Sequence, residues 1–184
     1  AGTPSELPLD AAAWAAAALL ALGAGLLWFH RDPPRPVGDG VVSPADGTVL
    51  SVDERDDHVR LSIFMSPFNV HVNRAPIAGR VTAQQRSGAG FSPAYSAAAD
   101  GNLQVRTELE TAVGPVAVTQ VAGALARRIT SYLSEGQQLA KGERIGIIHL
   151  GSRVDLELPL GAEMVVKSGQ KLQAGQTVAR LAGS

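Results

Sequence analysis

Between Ala11 and Phe29 no side chain carries a charge, and Ala and Leu fill most positions. A helix over this run, at about 1.5 Å per residue, approaches the roughly 30 Å hydrocarbon thickness of a bilayer. Trp14 and Trp28 stand near its two ends, where amphipathic rings prefer the membrane interface. Alanine gains little from lipid, so insertion would lean on Leu19, Leu20, Leu22, Leu26 and Leu27. The competing reading is an Ala-rich helix that is soluble or lies on the interface. Glu6 and Asp10 precede the run, where a signal peptide would carry basic residues. From Val41 onward the pattern changes to short apolar runs and alternation, broken by Gly, Pro, Asp or Asn. Residues 47–52, 59–64 and 116–121 are examples, and their length and β-branched content predict strands. Gly88 to Gly101, rich in Gly, Ser, Ala and Pro, reads as a long loop. Ala122 to Leu133 fits helix or strand, and strand is favoured because its neighbours on both sides are strand-like.

The two patterns divide the chain into a hydrophobic segment with a Pro-rich linker, residues 1–36, and a β domain, residues 37–184. Arg31 and Arg35 follow the hydrophobic run, and no Lys or Arg precedes it. The positive-inside rule therefore predicts a cell-membrane protein with its β domain on the cytoplasmic side. Within that domain, Gly136-Gln137-Gln138-Leu139 to Gly146 is echoed by Gly169-Gln170-Lys171-Leu172 to Ala179. The matched glycines predict two equivalent tight turns. The pattern resembles the hammerhead hairpins of biotinyl and lipoyl domains. It implies a mainly β fold, a flattened barrel or sandwich, behind an N-terminal hydrophobic helix.

Composition narrows the chemistry. Of 184 residues 45% are hydrophobic but only 4% aromatic, so the core must rest on Val, Leu, Ile and Ala. The net charge of -1 gives no field that would draw nucleic acid. The absence of Cys removes disulfides, thiolate metal sites and a Cys nucleophile together. His30 and His58 show no metal-ligand spacing with another His, and no metal is expected.

Three stretches carry candidate chemistry. Ser43-Pro44-Ala45-Asp46-Gly47 taken alone is a turn, since Pro, Asp and Gly dominate turns. In the second stretch, Phe64 to Pro76, His71, Asn73 and Arg74 follow a strand-like run. On a strand His71 and Asn73 share one face. A His, an amide and a guanidinium together can serve as acid–base group, carbonyl ligand and phosphate anchor, or merely end a strand. The third is His149-Leu150-Gly151-Ser152-Arg153-Val154-Asp155. A glycine inside an apolar strand run marks a bend or strained backbone, which would help a Ser hydroxyl reach the preceding carbonyl.

In their order and spacing these stretches resemble the short, pyruvoyl-dependent phosphatidylserine decarboxylases. The resemblance begins at Phe29-His30-Arg31-Asp32-Pro33 and takes in residues 42–49, the His71 segment, Ala126-Arg127-Arg128-Ile129 and residues 150–155. It implies self-cleavage between Gly151 and Ser152 into chains 1–151 and 152–184, with Ser152 becoming a covalent pyruvoyl cofactor. It further implies catalytic roles for Ser152 and for His71 oriented by Asp46, with Asn73, Arg74, His149 and Arg153 as substrate-binding candidates. The substrate implied is phosphatidylserine in the membrane. It loses carbon dioxide through a Schiff base on the pyruvoyl group and leaves as phosphatidylethanolamine. The partners implied are that lipid and the two chains of one precursor, and a homo-oligomer stays open.

This chain departs from the longer members of the family at one point. They carry two His in an H-x-x-H arrangement, whereas here Arg74 follows His71 at the second place. Two rival readings remain: an archaetidylserine decarboxylase, whose lipid shares the serine head group, and a non-enzymatic, membrane-anchored lipoyl-like adaptor. An adaptor would not need Gly151-Ser152 together with His71 and Asp46. All three lysines, Lys141, Lys167 and Lys171, lie in or beside the repeat turns, which disfavours a buried pyridoxal lysine.

Overall fold

The structure is a computed structural model and describes residues 9–124, 128–149 and 151–181, with side chains from residue 11. It divides into two compact units, one ending at Arg31 and one beginning at Asp32. The first is helix α1, Leu9–Phe29. Its apolar stretch Ala11–Phe29 has a mean hydropathy of 1.9 and is almost wholly uncovered. The stretch is apolar on every side. Among the described residues it is the one helix long and apolar enough to cross a membrane. At its C-terminal end the Arg31 guanidinium lies 3.7 Å from the centre of the Trp28 ring and donates to the Trp28 carbonyl at 2.8 Å. A cation there complements the negative end of the helix dipole.

The second unit is built of strands β1 (Val41–Val42), β2 (Gly47–Glu54), β3 (His58–Met65), β4 (Val72–Arg74), β5 (Gly79–Ser87), β6 (Gln104–Thr111), β7 (Gly114–Val121), β8 (Ile129–Ser131), β9 (Gln138–Leu139), β10 (Arg144–Ile148), β11 (Ser152–Pro159), β12 (Glu163–Met164), β13 (Lys171–Leu172) and β14 (Thr177–Arg180). Eight strands form one curled sheet, in the order β13-β2-β3-β11-β7-β6-β5-β9, wound as a half-barrel. Two three-stranded sheets, β1-β14-β12 and β4-β10-β8, complete the unit. The flattened-barrel, mainly β architecture expected from the sequence is the one observed.

Alternation along β11 shows why the sheet curls around one core. Ser152, Val154, Leu156 and Leu158 point to one face and are buried, packing with Leu61, Ile63 and Met65 of β3. Arg153, Asp155 and Glu157 point to the other face and form ion pairs with Arg60, Asp100 and Arg106. With so few aromatics, the large fully buried side chains are mostly Leu, Ile and Val.

The glycine repeat lies at the two ends of the long sheet, since β9 closes one end and β13 the other. Gly136, Gly142, Gly169 and Gly175 have φ of 83°, 82°, 82° and 88°, the left-handed region that favours glycine. The repeat is larger than the hairpins alone. Pro44, Gly47 and Val49 match Pro76, Gly79 and Val81, and the two copies bond reciprocally: Arg74 N–H to the Pro44 carbonyl at 2.8 Å, Val42 N–H to the Pro76 carbonyl at 2.9 Å. Each hairpin then meets its own partner through the same hydrogen bonds. The Gly142 N–H reaches the Ala75 carbonyl at 2.8 Å, and the Gly175 N–H reaches the Ser43 carbonyl at 2.9 Å.

Three local expectations meet a more detailed picture. The segment from Ala122 to Leu133 is strand only at Ile129–Ser131 among the described residues. Ala122 to Ala124 leave the ladder, and residues 125–127 lie outside the described residues. The segment from Gly88 to Gly101 is irregular, with a 3₁₀ turn at Ala97–Gly101. The Pro-rich stretch is tied to the β unit: Asp32 pairs with Arg74 and Arg144, and Arg35 pairs with Asp46.

Candidate active site

Ser152 opens β11, directly opposite Met65 at the end of β3. Its side chain is fully buried, and its hydroxyl donates to the Met65 sulfur at 3.5 Å. A thioether is a weak acceptor, so this contact holds the hydroxyl loosely. The preceding residue, Gly151, has φ of +59°, a turn that an L side chain would resist. Leu150 lies outside the described residues.

Asn73 joins the same cluster from β4. Its amide nitrogen donates to the Met65 sulfur at 3.6 Å, and its carbonyl accepts from Gln120 of β7 at 2.8 Å. All four side chains are buried. Gly146 of β10 has no room for a side chain, since a Cβ there would lie 2.6 Å from the Thr130 carbonyl oxygen and 3.1 Å from the amide nitrogen of Gln120. The sequence placed Asn73 but not Met65 or Gln120. A Gln inside the apolar β7 run was the available signal, because a buried amide requires a partner.

His71 lies just before β4 and is fully buried. Val70 and Val72 pack with Ile147 in a separate small cluster, so the alternation that puts His71 and Asn73 on one face is preserved. The His71 Nδ1 bonds the Asn69 carbonyl at 2.9 Å. A carbonyl only accepts, so the proton sits on Nδ1, and in the neutral ring Nε2 is the basic nitrogen. The turn below is fixed by Asn69, whose side-chain carbonyl accepts from both the backbone N–H and the hydroxyl of Ser66 at 2.8 Å.

The other sequence candidates have these partners. Asp46 is buried between Arg35 and the Ala174 N–H, the latter at 2.9 Å. Arg74 bonds Asp32 at 2.5 Å and the Gly142 carbonyl at 3.1 Å. Arg153 lies on the sheet face opposite Ser152, held by Asp100 at 2.5 Å and Asp155 at 3.1 Å. The hydrogen bond from Arg153 holds the Asp100 carboxyl below the usual carboxylate range, against a smaller opposing effect of burial. His149 directly follows β10, and its N–H bonds the Arg128 carbonyl at 3.2 Å.

The profile of the phosphatidylserine decarboxylase family matches residues 22–180. The chain belongs to this family. The decarboxylase is 50% identical over 168 residues to the phosphatidylserine decarboxylase proenzyme of Streptomyces griseus, covering 89% of this chain and 78% of that protein. It is 50% identical over 159 residues to the proenzyme of Streptomyces coelicolor, covering 85% of this chain and 73% of that one. It is also 49% identical over 164 residues to a Halobacterium salinarum protein provisionally named archaetidylserine decarboxylase proenzyme, covering 86% and 82%. Membership makes the decarboxylase a carboxy-lyase and displaces the adaptor reading.

Proposed function

We propose that this decarboxylase is made as one precursor, cuts itself between Gly151 and Ser152, and then removes the carboxylate of phosphatidylserine. The observation that carries this reading is the pairing of a buried, loosely held Ser152 hydroxyl with a Gly151 in left-handed conformation. Serine is a weak nucleophile until a base takes its proton, and His71 is the base we assign. The lone pair on Oγ forms a bond to the Gly151 carbonyl carbon, and the Ser152 nitrogen leaves with a proton, so amide becomes ester. Loss of the Ser152 α-proton then expels Gly151 as a carboxylate and leaves a dehydroalanine. Hydrolysis releases ammonia and a pyruvoyl group at the head of the small chain.

The buried, water-poor environment of Ser152 and the adjacent Asn73 amide fit that group. When formed, a pyruvoyl ketone supplies an electrophile for the substrate amine and an acceptor for the electrons freed by loss of carbon dioxide. We assign Asn73, fixed by Gln120, to orienting a carbonyl or carboxylate, and His71 to returning a proton. Asp46 supports the Ser43–Gly47 turn through Arg35 and Ala174, and we assign it an indirect effect on His71. Arg74 and Arg153 already have carboxylate partners and point away from the Ser152 side, so we assign them to holding the fold. His149 stays a candidate helper for its position three residues before Ser152.

We place the chain at the cell membrane through α1, with the β unit on the cytoplasmic side, on the strength of Arg31 and Arg35. Protease protection in sealed vesicles of known orientation tests the sidedness. Intact mass before and after treatment with a carbonyl reagent tests the central reading. Two chains are expected, the smaller carrying a ketone, and Ser152→Ala should remain whole and inactive. A whole, active, ketone-free protein would overturn it. The archaeal relatives supply a second reading, because an archaetidylserine presents the same reacting atoms. Parallel assays on diacyl and diether serine lipids decide between them.

A further inference from the structure

Gly123 lies just beyond β7, buried, in the short irregular stretch Ala122–Ala124. A Cβ at this position would overlap the carbonyl oxygen of Gly151, and would lie 3.0 Å from the Gly151 carbonyl carbon and 3.3 Å from the Ala94 Cβ. Gly123 does not have the positive φ that excludes L side chains. Its lack of a side chain therefore answers a demand for room. Gly151 is the converse: its φ is positive, and a Cβ on it would meet nothing within 4 Å. One glycine lets the backbone turn, and the other makes space for the carbonyl that the turn presents.

Gly123 is itself seated. Asn102, fully buried, donates to the Ala122 carbonyl at 2.7 Å and to the Ser92 carbonyl at 2.8 Å, and accepts from the Ser92 N–H at 2.8 Å. The Ala122 N–H bonds the Leu103 carbonyl at 2.9 Å. Asn102 thus ties the residue before Gly123 to the segment that carries Ala94, and both sides of the seat are fixed by one side chain.

We propose, on the reading that the chain cuts itself between Gly151 and Ser152, that Gly123 seated by Asn102 is a positioning residue for that cut. As Ser152 Oγ bonds to the Gly151 carbon, the π pair moves onto the carbonyl oxygen, which lies against the Cα–H face of Gly123. That face offers a weak C–H donor and, above all, a fixed wall. A methyl group there displaces the oxygen and turns the carbonyl away from the hydroxyl. Later steps do not need the amide carbonyl in this orientation, so the block falls before the ester.

The test makes Gly123→Ala and Asn102→Ser in two backgrounds, the native Ser152 and the uncleavable Ser152→Ala. In the uncleavable background both should melt below their parent, since one crowds and the other strands buried groups, but both should stay folded at the assay temperature. In the native background, cutting followed by intact mass should slow on the order of 100-fold for Gly123→Ala, as expected for a reacting group misplaced by about 1 Å. Asn102→Ser should slow it less. The uncut material should resist hydroxylamine, which cleaves an ester but not an amide. Normal cutting, a hydroxylamine-labile precursor, or slowing no greater than in a distant core variant of equal melting temperature overturns the proposal. If Gly123→Ala does not fold, Asn102→Ser decides alone: cutting slower than in a distant core variant of equal melting temperature supports the proposal, and normal cutting overturns it. Failure of the native chain to be cut at Gly151–Ser152 instead sinks the self-cleavage reading beneath it.

Discussion

The Ser152 hydroxyl donates to the Met65 sulfur at 3.5 Å, across the first residue pair of the β11–β3 ladder. A nucleophile bound by a poor acceptor gives up little when it moves to attack. Met65→Leu conserves volume and should cost under about 1.5 kcal/mol. Its cutting rate should stay within about three-fold of native, because little hydrogen bonding is lost. Met65→Gln offers the hydroxyl a carbonyl and should slow cutting. A time course by intact mass checks both, and abolished cutting in Met65→Leu would show that the sulfur positions the hydroxyl.

His71 is assigned to proton transfer, for which loss of the group costs about 10²–10⁴-fold. His71→Gln should cut slowly, and its matured fraction should decarboxylate more slowly by that order. Measuring carbon dioxide release per ketone, rather than per chain, separates the two defects. Full turnover per ketone in this variant would remove His71 from the decarboxylation step.

The Asn73–Gln120 pair is buried, so removing one partner strands the other. Gln120→Ala should destabilise the Ser152→Ala protein by about 1–3 kcal/mol for the unsatisfied Asn73 carbonyl, beyond the cost of lost packing. The double variant with Asn73→Ala should be less destabilised than the sum of the single variants, a coupling read from denaturant midpoints. Strict additivity would deny the interaction.

Asp100 is held below its ordinary value by the hydrogen bond from Arg153, with burial opposing. A lowered folded value means that its contribution is full above the ordinary Asp value of about 3.9 and fades as pH falls through the folded value. Asp100 is largely exposed, so solvent screening keeps the effect small. In the Ser152→Ala background, Asp100→Asn should be less stable than its parent near pH 6, and the difference should vanish at strongly acid pH. Urea midpoints across pH check this, and a gap that persists in acid would place the effect elsewhere.

The repeat glycines should not be equivalent. A Cβ on Gly169 meets nothing within 4 Å, so Gly169→Ala should cost only the left-handed backbone strain of about 1–2 kcal/mol. A Cβ on Gly175 would overlap the Pro36 carbonyl oxygen, so Gly175→Ala should cost more. Equal midpoints for the two variants would contradict that packing.

Much of this protein was decided by local sequence. The uncharged run ending at Phe29 can be little but an apolar helix, and alternation along residues 152–158 dictates a strand with one buried face. The repeat glycines declared their turns because only glycine takes that φ cheaply. The stretch around Gly151-Ser152 was legible as a motif. Its surroundings were only partly so: Asn73 was legible, but Met65 and the stretch from Gln120 to Gly123 come from other segments, and only the tertiary fold brings them to one place. The neighbouring of β3 and β11 likewise gave Asp155 to Arg60. These outcomes depend on which strands neighbour which, a long-range choice set by burial of the whole core, which no short window of residues contains.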